Sequence, residues 1–264
     1  MKLGIVGNGR LSSHLSYAWQ QKMGKEHSED LTILLRKDTP MPGKALENQS
    51  VRYTDCLEEF IEDRDIILLC VQDDQIESLS KQIKIADHQI IAHSSGTVPS
   101  TILKNTGTNY GVWYPLQTFS ITGKQLDFSQ IPILVHAHTE QGTIGLKSLA
   151  HRLSERVYEV SDERRAYVHL SAVFANNFTN HLLEVAQEIL SEAELPKDIL
   201  RALVQETVDK FFDTPSNQKI QTGPAIRGDQ KTIERHLSAL EKNPDLQSIY
   251  RDLSKSIQHF HQKK

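Results

Sequence analysis

Gly7, Asn8, Gly9, Arg10, Leu11 and Ser12 make a glycine-rich bend directly after the apolar run from Leu3 to Val6. Glycine weakens helix and strand interiors, so such a cluster marks a tight turn or a close approach to something else. Gly7 and Gly9 take the first two positions of G-x-G-x-x-G, and Ser12 stands at the third. With a strand before it and a helix after it, this spacing suits a diphosphate. The first glycine permits the turn, the second removes a side chain that would block the ligand, and a small third residue lets helix and strand pack closely. The opening helical turn adds free N–H groups and the positive end of a dipole. The plainer reading is a glycine turn that holds nothing.

A second strand, Leu31 to Leu35, runs into Arg36 and Lys37, and no acid appears before Asp38. NAD sites usually place a carboxylate there for the ribose 2′-hydroxyl, whereas a guanidinium forks onto a 2′-phosphate. NADP is therefore expected over NAD, with Arg36 holding the 2′-phosphate; otherwise Arg36 is a solvated residue at a strand exit.

A third candidate group lies on a long helical stretch. On a 3.6-residue wheel His169, Asn176, Asn180 and Glu184 share one face, with Asn177 at its edge. Leu170, Phe174, Phe178, Val185 and Ile189 occupy another. A polar stripe on so apolar a helix must meet water or line a cavity, since burying it unpaired costs about 1–3 kcal/mol per group. Histidine titrates near neutrality, so His169 suits proton donation to a carbonyl oxygen or imine, with Asn176 orienting the substrate and Asn180 beside it. The alternative is a set of interhelical hydrogen bonds. In TGPAIRGD, Arg227 either clamps an anionic substrate group or pairs with Asp229, which is placed to cap the next helix. The pairs His136/His138 and His259/His261 lack a completing acid or cysteine cluster, so no metal is expected.

These residues need a frame. Apolar runs at 2–7, 31–35, 65–71, 89–95, 110–114 and 131–137 read as strands, several of them continuously apolar as in parallel sheets covered on both faces. Helices are expected at 10–23, 74–83 and 140–153. Beyond Ser161 the strand signals stop, and helices are expected at 162–193, from Pro196 to about 212, 229–241 and 244–261. The fold class is thus α/β, a Rossmann-type doubly wound sheet over residues 1–160 followed by an all-helical domain over 161–264. The 264 residues carry a net charge of −4, which argues against nucleic acid or an anionic membrane as partner. No apolar run reaches the roughly 18 residues of a membrane span, and the first residues read as a strand instead of a leader. With two cysteines lacking C-x-x-C spacing, a reduced cytoplasmic protein is expected.

Several motifs resemble known proteins. DIILLCV followed by QDDQIESL is similar to the fourth-strand segment of pyrroline-5-carboxylate reductases and deazaflavin-dependent NADP oxidoreductases, although Gln72 stands where those carry proline. HSSG (93–96), GVWYPLQTFS (111–120), YVHLSAVFANNFTNHLL (167–183) and TGPAIRGD (222–229) resemble the Rossmann-like proteins with a C-terminal helical domain of unknown function. That group belongs to the 6-phosphogluconate dehydrogenase-like superfamily. The resemblance implies nicotinamide over the carboxyl strand ends, facing Val71, Gln72, His93, Ser94 and Ser95. Loop capping by the serines and a core role for His93 stay open. It also implies a homodimer formed by the helical domain. Some superfamily members carry a lysine on the equivalent helix; Val173 occupies that region here, so lysine-based proton transfer does not carry over. The expectation is an NADP(H)-dependent oxidoreductase acting on a small carbonyl or imine compound in the cleft between the two domains. The rival readings are a non-catalytic NADP(H)-binding sensor or assembly protein, or a deazaflavin or flavin as hydride partner.

Overall fold

The computed structural model describes residues 1–24, 30–36, 51–120, 126–214 and 220–262. Lys37 and Asp38, which enter the argument about the second strand, lie outside the described residues. The chain divides into two compact units, Met1–Asn177 and Phe178–Lys264.

Among the described residues the first unit carries an eight-stranded sheet: β1 (Leu3–Val6), β2 (Leu31–Leu34), β3 (Arg52–Thr54), β4 (Ile66–Leu69), β5 (Ile90–His93), β6 (Tyr110–Pro115), β7 (Ile133–Ala137) and β8 (Val157–Glu159). Their order is β3-β2-β1-β4-β5-β6-β7-β8. The first six strands are parallel and follow the doubly wound 3-2-1-4-5-6 sequence. After β1 the chain builds outward through β2 and β3, then crosses back to β4 on the other side. The carboxyl ends of β1 and β4 therefore flank the point where ligands bind in such sheets.

β1, β2, β4 and β5 are buried along their whole lengths, as their unbroken apolar runs require. On one face, α1 (Arg10–Met23) and α4 (Glu140–Leu153) cover Leu3, Ile5, Leu68, Trp113 and Val135. On the other, α2 (Leu57–Glu62) and α3 (Asp73–Gln82) cover Val6, Ile67, Leu69 and Ile91. One strand breaks the parallel run: β7 is antiparallel to β6. Among its described residues the β6–β7 connection carries only the 3-10 turn Phe128–Gln130, and a parallel return needs a long crossover. Among the described residues of the first unit, the strands β3 and β8 and the helix α2 lie outside the sequence expectation, all six residues or shorter.

Among the described residues strands end at Glu159, but α5 (Asp162–Ala172) still belongs to the first unit. The expected unbroken helix over 162–193 is corrected. A π-helical segment, Val173–Phe178, separates α5 from α6 (Thr179–Ser191). A π segment advances more residues per turn than 3.6, so a face drawn from His169 through Asn176 to Asn180 and Glu184 does not extend across it.

The second unit comprises α6, the 3-10 turn Lys197–Leu200, α7 (Arg201–Asp213), α8 (Pro224–Arg227), α9 (Gln230–Ala239) and α10 (Pro244–Gln262). Gly228, at φ +66°, ends α8, and the Asp229 carboxylate caps α9 by accepting from the Thr232 amide at 3.2 Å.

Candidate functional site

The site begins where β1 stops. Gly7 has φ +110°, a conformation that disfavours any side chain, and a Cβ there would lie 2.6 Å from the Cys70 carbonyl oxygen. Its amide donates to the Leu34 carbonyl at 3.2 Å, tying the bend to the end of β2. Gly9 is the N-cap of α1 at φ −87°. A Cβ there would meet nothing nearer than the Cys70 oxygen at 4.0 Å, so the space in front of the bend is open. No side chain caps α1 and no acid stands in its first turn, leaving the amides of Arg10, Leu11 and Ser12 for a ligand. Asn8 is half-buried, and Ser12 is buried. Beneath the bend, burial pushes the Cys70 thiol up to about 12, against the pull of the Ser94 and Ser12 hydroxyls beside it. It is therefore inert.

Arg36 follows β2, exposed at its carboxyl end. Val71 lies against Gly7, with Cγ1 3.1 Å from the site a Cβ would take. Exposed Gln72 is the N-cap of α3 and makes no side-chain cap. Thus Gly7–Ser12, Arg36, Val71, Gln72, Ser94 and Ser95 all lie along the carboxyl ends of β1, β2, β4 and β5.

The loop after β5 is held from within. The Ser94 hydroxyl donates to the Leu69 carbonyl at 3.2 Å. Ser95 is buried; its hydroxyl donates to Asp73 at 2.8 Å and accepts from the amides of Thr97 and Val98. Thr97 donates to the same Asp73 oxygen at 3.0 Å. His93 is 0% exposed; its Nδ1 accepts from the Ser95 amide at 3.2 Å, and Nε2 faces the Pro99 carbonyl at 3.4 Å. Burial first, and then the Arg165 charge, lower its pKa to about 4, so it stays neutral and structural.

α5 is pinned to this loop. Ser161 caps it by accepting from the Arg164 amide. The Asp162 carboxylate accepts from both the amide and hydroxyl of Ser100 at 2.8 Å and pairs with Arg165, which is 1% exposed and also donates to the Val98 carbonyl. Burial alone raises the Asp162 carboxyl, but Arg165 and Ser100 together hold it below the ordinary aspartate value. So fastened, α5 sets His169 against Tyr114 of β6, with Nδ1 and Oη 3.0 Å apart. Sequence spacing has no means of revealing this partner, because the two lie on different elements 55 residues apart. On the same sheet face, Leu134 stands opposite Tyr114 in register. It forms one wall of an open groove of about 540 Å³, also lined by Leu116, Pro132, Tyr158, Arg164, Tyr167, Val160 and Val168.

The remaining sequence candidates stand elsewhere. Asn176 is exposed in the π segment and donates to Asn177 at 3.4 Å. Asn180 and Arg227 belong to the second unit; Asn180 donates to Glu184 at 2.8 Å, and Arg227 is exposed. Among the described residues no group of three or more His, Cys, Asp or Glu side chains could hold a metal ion. No described helix is long and apolar enough to cross a membrane.

Residues 131–257 match the family described as a domain of unknown function, DUF2520. A solved Bacteroides fragilis protein, designated a candidate NADP oxidoreductase, is 31% identical, with 98% of each chain covered and a TM-score of 0.85. A Plasmodium falciparum pyrroline carboxylate reductase solved with NADP bound shares the fold, with a TM-score of 0.63 over 98% of each chain at 13% identity. A curated glycerol-3-phosphate dehydrogenase of Fusobacterium nucleatum that acts with NAD(P) is 25% identical over 185 residues. That match takes in 61% of this chain and 53% of the enzyme, so the chain spans about half the length of the curated relative it matches.

Proposed function

This chain belongs to the family of Rossmann-type proteins with a C-terminal DUF2520 domain, and from that premise we propose that it is an oxidoreductase that uses NADP(H) on a small carbonyl or imine compound. The observation that carries the reading is the bend at the end of β1. Gly7 is forced to positive φ beneath it, Gly9 leaves open space before it, and the first amides of α1 are uncapped. That combination fits a dinucleotide diphosphate. The amides of Gly9 to Ser12 bind the diphosphate. Arg36 selects the 2′-phosphate, and Val71, Gln72, Ser94 and Ser95 flank the nicotinamide end. Bound there, the cofactor supplies a hydride; the protein supplies orientation and a proton. His169 moves that proton at its ring nitrogen. The groove beside Tyr114 takes the apolar body of the substrate.

The second unit carries the assembly. Leu182, Leu183 and Ile189 of α6 and Leu203, Val208, Phe211 and Phe212 of α7 are all exposed. Apolar surface of that extent is covered in a working protein, and a second copy of this chain, giving a cytoplasmic homodimer, is the occupant proposed. The exposed faces also suit a non-catalytic sensor that engages a different protein.

The two readings separate by turnover. Oxidation of NADPH against a panel of carbonyl and imine compounds is expected to find a substrate, and His169→Ala is expected to lower kcat by about 10²–10⁴-fold. NADPH bound without turnover across the panel favours the sensor.

A further inference from the structure

We infer that Tyr114 and Gly96 are positioning residues that cover one edge of the His169 ring and leave Nε2 as its only working nitrogen. The inference rests on the reading of His169 as the proton donor, which left open which nitrogen acts.

Three observations converge. First, Nδ1 is already engaged, 3.0 Å from the Tyr114 hydroxyl, and the two rings meet edge to face at 6.0 Å between centroids. Second, the Gly96 backbone lies against the same edge of the imidazole. A Cβ on Gly96 would fall 2.4 Å from Nδ1, 2.6 Å from Cγ and 3.1 Å from Cβ of His169. Gly96 is not among the glycines at positive φ, so its backbone tolerates a side chain and glycine is needed there for room. Third, the ring cannot swing away as a unit, because Asp162 and Arg165 fasten α5 to Ser100 and Val98 of the same loop.

The chemistry follows from the phenol. Tyr114 is half-buried in the sheet, and burial raises its pKa further, with the Arg165 charge opposing and Asp73 reinforcing the shift. It therefore keeps its proton near neutrality and has it available for Nδ1 of the neutral ring, and the phenol is taken as the donor of this pair. The hydrogen of that ring then sits on Nε2; as it passes to a carbonyl oxygen or imine nitrogen that takes the hydride, Nδ1 takes the phenol's proton, and Tyr114 is reprotonated from water. Without Tyr114 the two nitrogens compete for the hydrogen, and part of the population presents the wrong one.

The test reads the ring directly and needs no substrate. Two-dimensional NMR of the full chain labelled with nitrogen-15 in histidine, with His169 assigned by the signals lost in His169→Gln, reports which nitrogen carries the hydrogen. The expected spectrum shows His169 Nδ1 unprotonated and hydrogen-bonded and Nε2 protonated. Tyr114→Phe is expected to move this pair of signals and leave the other histidines in place. Gly96→Ala is expected to lower the melting midpoint by several degrees in the native background and not in His169→Ala, where the conflicting ring is gone. A His169 ring protonated on Nδ1, signals unmoved by Tyr114→Phe, or an equal cost of Gly96→Ala with and without His169 overturns the inference. If the ring signature holds while no compound is turned over, the clamp stands and the oxidoreductase reading falls.

Discussion

The carboxyl edge of the sheet and the outer faces of α6 and α7 handle polarity in opposite ways. At the sheet edge the side chains of the loop after β5 are held by named partners, and Arg165 of α5, 1% exposed, donates to the Val98 carbonyl of that loop. Among the described residues the first amides of α1 are uncapped there and Arg36 is exposed, and both are kinds of group that meet an anionic ligand. On α6 and α7 the unsatisfied surface is apolar, with Phe211 51% and Phe212 78% exposed. The first region is finished except for a small charged ligand. On the proposed reading, the second is covered by another protein surface.

The largest expected effect comes from breaking the finished region at its centre. Arg165→Met leaves the Asp162 carboxylate partly buried without its cation, and loss of about 3–5 kcal/mol is expected, measured by denaturant unfolding. Unchanged stability would mean that α5 is not held by this pair.

Acid comes next. His93 has a folded pKa of about 4 against about 6.5 for an ordinary histidine, so the unfolded chain takes up a proton that the folded chain refuses. This contribution is fully present above about 6.5, is lost progressively as pH falls towards 4, and amounts to at most about 3 kcal/mol. Asp162, held low, adds a loss of the same sign at lower pH. His93→Asn is expected to flatten the fall between about 6.5 and 4, as followed by thermal melts across that range.

The unfinished region is probed by Phe211→Glu. A charge on the proposed dimer face is expected to weaken self-association by at least about tenfold, or about 1.4 kcal/mol, in sedimentation, while NADPH binding to the first unit is retained. The smallest effect concerns cofactor choice. Arg36→Ala is expected to reduce the preference for NADPH over NADH by about tenfold, the worth of one charge-assisted contact. An unchanged ratio assigns the 2′-phosphate to other groups.

The two regions also differed in how far the sequence disclosed them. α1 and α4 fall on the residues that local patterning marks, because a glycine bend opens one and Thr139 caps the other. β3 and β8 are three residues each and half-exposed, too short to leave an alternation. The glycine bend is legible because its chemistry is local. The partner of His169 is not, since contact across 55 residues leaves no spacing to read. Nor is the π segment, where an assumed period of 3.6 carried the polar stripe further than the backbone does. Asp73, with its hold on Ser95 and Thr97, escaped for the same reason.

One titration tests the central claim most directly. Gly9 has an ordinary φ of −87° and open space where its side chain would go, so Gly9→Val threatens the ligand far more than the fold, with a cost to the cap of about 1 kcal/mol. Calorimetry is expected to show one NADPH taken up per wild-type chain, and uptake weakened about a hundredfold, or ~2.7 kcal/mol, in a variant that still folds. No uptake by the wild type, or equal uptake by both, would contradict the account.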